Sequence, residues 1–264
     1  MKKFLKKLIL PLLHTIRKII SIIVYHTVPS SLQLNEIKGL LQQIRRGQSS
    51  SVWRTYSEEA LRDSYNHFKK YFSYSIFLPL DELREYSLNK ALQNHKPGYY
   101  YLEFGVYTGV SINKFSEILK DIKIYGFDSF EGISEDWIGH RVQKGYLNLN
   151  GQIPRLNDNC VIVKGLIQNT LTKFISENKD IKINFVHIDT DTYSTTKFIL
   201  QQIKPHLING TIIIFDEFWS YAGWRMGEYK ALIEVFKEEE YKFLVFGLDS
   251  LSVVIQYHKK QSSN

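Results

Sequence analysis

From Tyr99 to Tyr257 short apolar runs alternate with amphipathic stretches, the pattern of a mainly parallel sheet covered on both faces by helices. Five apolar runs end abruptly in polar or glycine-containing turns. They close at Glu103/Gly105, Asp128, Lys164/Gly165, Asp189/Asp191 and Asp216/Glu217. Helical periodicity predicts helices over 168–177, 194–207 and 226–239 between or after these strands. The C-terminal runs 241–246 and 251–257, separated only by Gly247-Leu-Asp-Ser250, predict a hairpin. The expected fold is therefore α/β and Rossmann-like, with an antiparallel end to the sheet.

Upstream, 34–46, 57–72 and 81–93 read as helices, the second opened by Ser57 with two acids in its first turn. Their many aromatic residues pack them on the core or form a lid or dimer surface. Residues 136–159 are long, polar and aperiodic, which in a compact domain marks a functional or disordered connection. The chain thus divides into an arm (1–30), a helical region (31–98), an α/β domain (99–258) and a polar tail (259–264).

Charge changes the picture only at the N-terminus. The net charge is +7, and Lys2, Lys3, Lys6, Lys7, Arg17 and Lys18 all precede the first acid, Glu36. The remainder is nearly balanced, which argues against a nucleic-acid groove binder. On a helix, Lys3, Lys7, His14 and Lys18 share one side while Phe4, Leu8, Leu12, Ile16 and Ile23 share another. Such an arm suits an anionic membrane surface or a partner subunit. Pro11, His14, Arg17 and Lys18 interrupt every apolar run before spanning length. No small-residue site of the signal-peptidase kind follows. The lone cysteine, Cys160, excludes an internal disulfide and fits a reducing, cytoplasmic compartment.

The chemistry collects at the strand ends, where open α/β sheets bind ligands. The first turn reads Glu103-x-Gly105-x-x-x-Gly109, and Asp128 follows about 20 residues later, where an acid reads ribose hydroxyls. A dinucleotide turn has Gly-x-Gly-x-x-Gly, and an acid at Glu103 repels a pyrophosphate while attracting a cationic ligand. The pattern favours S-adenosylmethionine (SAM) over NAD. The donor set is Glu103, Gly105, Tyr107, Thr108, Gly109 and Ser111, then Asp128 and Ser129, then Lys164 and Gly165. Asp189, Asp191, Asp216 and Glu217 form the second half. Four neighbouring carboxylates repel one another unless a cation lies between them, and oxygen ligands suit Mg²⁺. A spare carboxylate can then remove a proton from an acceptor hydroxyl. His187 reads as a core histidine.

Five segments occur in order: Tyr101-Leu-Glu-Phe-Gly-Val-Tyr-Thr-Gly109, Tyr125-Gly-Phe-Asp-Ser-Phe-Glu-Gly132, Lys164-Gly-Leu-Ile-Gln-Asn-Thr-Leu171, His187-Ile-Asp-Thr-Asp-Thr-Tyr193 and Ile212-Ile-Ile-Phe-Asp-Glu-Phe218. Together they resemble the macrocin O-methyltransferase family of class I SAM-dependent methyltransferases. The resemblance runs from about Tyr99 to Tyr257 and leaves residues 1–50 aside. It implies a seven-stranded sheet and Mg²⁺-assisted methylation of a sugar hydroxyl on a glycan or glycosylated metabolite. It also implies Asp189, Asp216 and Glu217 as metal ligands and Asp191 as general base. Family members often carry Asp-Asp where this chain has Asp216-Glu217. The rival expectations are a non-sugar acceptor, such as a phenol or amine, and a SAM-binding accessory protein without turnover. Trp137, Tyr146, Trp219, Tyr221 and Trp224 are candidates to contact a sugar.

Overall fold

The computed structural model describes residues 52–140 and 142–259. The predicted arm, the helix at 34–46 and the tail beyond residue 259 lie outside the described residues. In order, the elements are α1 (Val52–Phe68), β1 (Ile76–Leu78), α2 (Leu80–Leu92), β2 (Tyr99–Phe104), α3 (Val110–Leu119), β3 (Ile124–Asp128) and β4 (Cys160–Lys164). They continue with α4 (Ile167–Glu177), β5 (Lys182–Ile188), α5 (Tyr193–Ile203), β6 (Leu207–Phe215), α6 (Glu228–Val235), β7 (Tyr241–Gly247) and β8 (Val253–Tyr257).

One eight-stranded sheet runs β1-β7-β8-β6-β5-β2-β3-β4. The five strands from β6 to β4 are parallel, and β8 is antiparallel to both β6 and β7. The parallel set and the terminal hairpin match the sequence expectation. The eighth strand, β1, is an addition to the expected seven; it pairs parallel with β7 through Ile76, Phe77 and Leu78. Three residues are too few to display a period of two, so the pattern along the chain is silent there.

Strand residues alternate between two buried faces, as a sheet covered on both sides requires. Ile213 and Phe215 of β6 join Phe68, Leu171, Ile199 and Leu232, so α1, α4, α5 and α6 cover that face. Ile212 and Ile214 point oppositely and join Leu83, Leu88, Ile112 and Phe115 of α2 and α3. Phe68 centres an aromatic packing with Phe218, Phe243 and Phe246 at ring-centroid distances of 5.8, 5.7 and 5.7 Å. The helices α1 and α2 are therefore part of the core.

The sheet order reverses between β2 and β5: from β2 the chain proceeds outward to β3 and β4, from β5 outward to β6. Such a switch point opens a crevice beyond the carboxyl ends of the strands. No described helix is long and apolar enough to cross a membrane.

Candidate active site

The crevice is built first by Gly105. Its φ is +86°, and a Cβ there would stand 1.8 Å from the Asp189 carbonyl oxygen. Only glycine lets the turn after β2 lie against the turn after β5. The second constraint is Asp128 at the end of β3. Its Oδ2 accepts the N–H groups of Val106 and Tyr107, both at 2.8 Å, and its Oδ1 accepts that of Phe130 at 2.7 Å. One carboxylate thus shapes two adjoining turns.

A cleft of about 750 Å³ lies over these turns. Gly105, Tyr107, Asp128, Ser129, Gly165, Asp189 and Asp191 line it, so residues from four predicted strand ends come together. Ser134, Gln168 and Thr195 also line it. They are joined by bonds of 3.2 Å between the Ser134 and Thr195 hydroxyls and 3.4 Å from the Gln168 amide to Thr195. Nothing in their sequence context singles them out.

Five predicted donor residues sit elsewhere. Glu103 is fully buried beneath the turn, where it accepts a 2.7 Å hydrogen bond from Ser111 Oγ and lies 3.5 Å from His187 Nδ1. Thr108 and Gly109 are not among the cleft-lining residues, and Lys164 Nζ reaches outward to the Gly151 carbonyl at 2.6 Å. The physical reason for Glu103 is strand alternation: in the β2–β5 register it stands beside His187 on a buried face, and Ser111, in the first turn of α3, is engaged by it.

His187 is a core residue, as expected, but a charged one. It lies between Glu103 and Asp216, with Nε2 3.4 Å from Asp216 Oδ1. Burial pulls its pKa down, but the neighbouring carboxylates of Asp216 and Glu103 outweigh burial and raise it to about 9. Asp216 also receives Arg84 Nη2 at 3.0 Å and Ser252 Oγ at 3.1 Å. Burial raises the pKa of Asp216, yet His187, Arg84 and Ser252 prevail and hold it at about 2.

The other acids experience the opposite. Burial, then the Asp216 charge, pushes Asp189 and Glu217 well above the usual carboxylate range. Asp191 rises to about 6 for the same two reasons. Its backbone is left-handed, φ +60°, which is uncommon for a residue bearing a Cβ. A fifth acid, Glu228, is completely buried at the start of α6 and accepts the Glu217 N–H at 3.0 Å. Its pKa too is raised well above the ordinary value, by burial and then by the Asp216 charge.

These acids can hold a metal. Oxygen atoms of Asp189, Asp191 and Glu217 lie within 4.8 Å of one another, and so do ligand atoms of His187, Asp189 and Asp216. Asp189 belongs to both groups, while the other two predicted ligands, Asp216 and Glu217, fall one in each. Glu217 Oε2 is buried with no hydrogen-bond partner. A buried carboxylate oxygen with no partner, among hard oxygen donors, fits a small divalent cation.

Residues 102–218 match a protein-family model described as a methyltransferase domain. No curated protein sequence matches the chain significantly. Among solved structures, the chain resembles the crystal structure of CalS11, described as a calicheamicin methyltransferase. They share 20% identity over 88% of this chain and 95% of that one, with a TM-score of 0.56. It also resembles the apo structure of CalS11, described as a TDP-rhamnose 3'-O-methyltransferase in calicheamicin biosynthesis. Here identity is 20% over 89% and 99% of the two chains, with a TM-score of 0.51. At this identity the likeness is one of fold. The fold is the Rossmann-like methyltransferase fold, and with the matched domain it supports a SAM-dependent methyltransferase.

Proposed function

We propose that the protein is a SAM-dependent O-methyltransferase that methylates a sugar hydroxyl with the help of Mg²⁺. The observation that carries the reading is the juxtaposition of the cleft over the β2 turn with a buried acidic group through Asp189 and Asp191, which belong to both.

The turn after β2 favours SAM over a dinucleotide. The Val106 and Tyr107 N–H groups, which in a phosphate-binding turn point at the ligand, are given to Asp128. The Asp128 carboxylate at the cleft wall opposes a pyrophosphate and suits ribose hydroxyls. Glu103 holds His187 and Ser111 in this reading and does not meet the donor.

Asp189 and Glu217, whose oxygens share one group, would hold the Mg²⁺, with Asp216 adjoining Asp189 as the third predicted ligand; when bound, the ion lowers the pKa of a nearby acceptor hydroxyl. Asp191 takes the hydroxyl proton. The acceptor oxygen then attacks the methyl carbon in line with the departing sulfur; the O–C bond forms as the C–S bond breaks, leaving S-adenosylhomocysteine. Most of the acceleration comes from holding oxygen, methyl carbon and sulfur in line. The sugar is favoured by the described function of the CalS11 enzyme, carried here as a proposal. The basic N-terminal segment extends the proposal to contact with an anionic membrane surface.

Calorimetry with SAM and with NAD⁺ tests the donor assignment. Saturable binding of SAM and none of NAD⁺ is expected; the reverse order of affinities overturns it.

A further inference from the structure

The connection from β3 to β4, residues 129–159, folds back on itself and onto the turn before α6. It forms bridges between Glu131 and Asn148 and between Trp137 and Val142. Its tip docks on the turn before α6: a Cβ on Gly139, where φ is +86°, would lie 1.4 Å from the Ala222 carbonyl oxygen. On the inner side Trp137 and His140 stack with ring centroids 3.7 Å apart. Tyr221 approaches both, at 6.3 and 5.1 Å. Below, the Tyr221 hydroxyl sits against Gly227, where a Cβ would come within 2.3 Å of it, and Glu228 follows directly.

Polar atoms without partners gather here. His140 Nε2, Glu217 Oε2 and Glu228 Oε1 are buried without a partner, and the Trp137 indole and Tyr221 hydroxyl, also buried, have only a loose approach to each other. Tyr221 is 6% exposed and Glu228 fully buried, so water is not their ordinary partner. Leaving a buried polar atom without a partner is unfavourable, and several in one place call for a polar ligand. The group mixes donors, acceptors and flat apolar faces, the combination that a hydroxylated ring satisfies. It also lies on the correct side. The donor cleft reaches Asp189 and Asp191 but not Glu217, Tyr221 or Glu228, so an acceptor hydroxyl at the acids leaves its ring beyond them.

We propose that Trp137, His140, Tyr221 and Glu228 form the acceptor subsite and bind the ring of a hexose next to the hydroxyl that is methylated. This rests on the methyltransferase reading. Tyr221 Oη and Glu228 Oε1 meet hydroxyls flanking the reacting one, and Trp137 and His140 close over the ring as the loop tip docks.

The test uses the full chain, ¹⁵N-labelled at tryptophan, with Mg²⁺ and S-adenosylhomocysteine present. TDP-rhamnose, UDP-glucose and a set of methyl hexopyranosides are the probes. At least one is expected to shift the Trp137 indole N–H resonance saturably, and its affinity to fall about tenfold in Tyr221→Phe and in Glu228→Gln. SAM affinity, read separately by calorimetry, is expected to stay within twofold of the parent in both variants. If SAM binds but no hexose moves Trp137, or the variants bind the hexose as tightly as the parent, the subsite is wrong while the methyltransferase reading stands. Failure to bind SAM removes the premise and with it the subsite.

Discussion

Arg84 Nη2 lies 3.0 Å from Asp216 Oδ1, joining α2 to the end of β6 across 132 residues of chain, and both side chains are largely buried. The ion pair fixes one acid of the site as an anion while its neighbours are pushed toward neutrality. Removing one partner of a buried pair leaves the other charge unmatched, at a cost of about 3–5 kcal/mol. Arg84→Met is therefore expected to lower stability in urea denaturation by about 3 kcal/mol, the low end because His187 and Ser252 remain. It should also weaken Mg²⁺ binding in calorimetry. Arg84→Lys should recover part of both, and equal losses for Lys and Met would contradict an ionic role.

Gly105 sets the distance between the donor turn and Asp189. Gly105→Ala must move the Asp189 carbonyl, since the added Cβ would sit 1.8 Å from it in a left-handed backbone. The expected result is loss of SAM binding of at least tenfold by calorimetry, with a fall in Tm. Parent-like SAM affinity would mean that the turn does not shape the donor site.

The parts of the site that repeat locally were legible in the sequence, and those that depend on contacts across the fold were not. Asp128, Asp189, Asp191, Asp216 and Glu217 announce themselves because each ends an apolar run, and the ends of parallel strands must share one edge of a sheet. Glu103 shares that position too, but its side chain turns into the core toward His187, a choice made by the pleat and by the neighbouring strand. Arg84 sits in an ordinary amphipathic helix and gains meaning only from Asp216, far along the chain. Glu228 reads as a helix-opening acid favoured by the helix dipole; its complete burial against Glu217 has no local signature.

His67 supplies a pH dependence away from the site. Its Nε2 is 2.7 Å from the Tyr229 hydroxyl, and the rings of Trp224 and Tyr229 pack on it. Burial, then the positive charges of Arg225 and Lys70, lowers its pKa below the ordinary histidine value of about 6.5. The unfolded chain therefore binds the proton first as pH falls. The stability associated with neutral His67 is complete above about 6.5 and is lost as pH drops through the lower folded value. Tm measured from pH 7.5 to 5 should fall more steeply for the parent than for His67→Gln. Parallel curves would show that His67 does not contribute.

Asp191 is placed to accept the acceptor proton, and a general base contributes about 10²–10⁴ in rate. Asp191→Asn is expected to lose activity within that range while keeping SAM affinity, because Asn retains shape and removes basicity. A variant that turns over like the parent would move the base elsewhere.

Methyl transfer from isotopically labelled SAM to TDP-rhamnose and a panel of hexosides, with Mg²⁺ and with EDTA, separates a metal-assisted sugar methyltransferase from its rivals. Labelled O-methyl sugar is expected in the presence of Mg²⁺, with strong loss in EDTA and recovery when Mg²⁺ is restored. SAM bound tightly with no label passed to any sugar, or transfer that EDTA leaves unchanged, would overturn the metal-assisted sugar methylation proposed for this site.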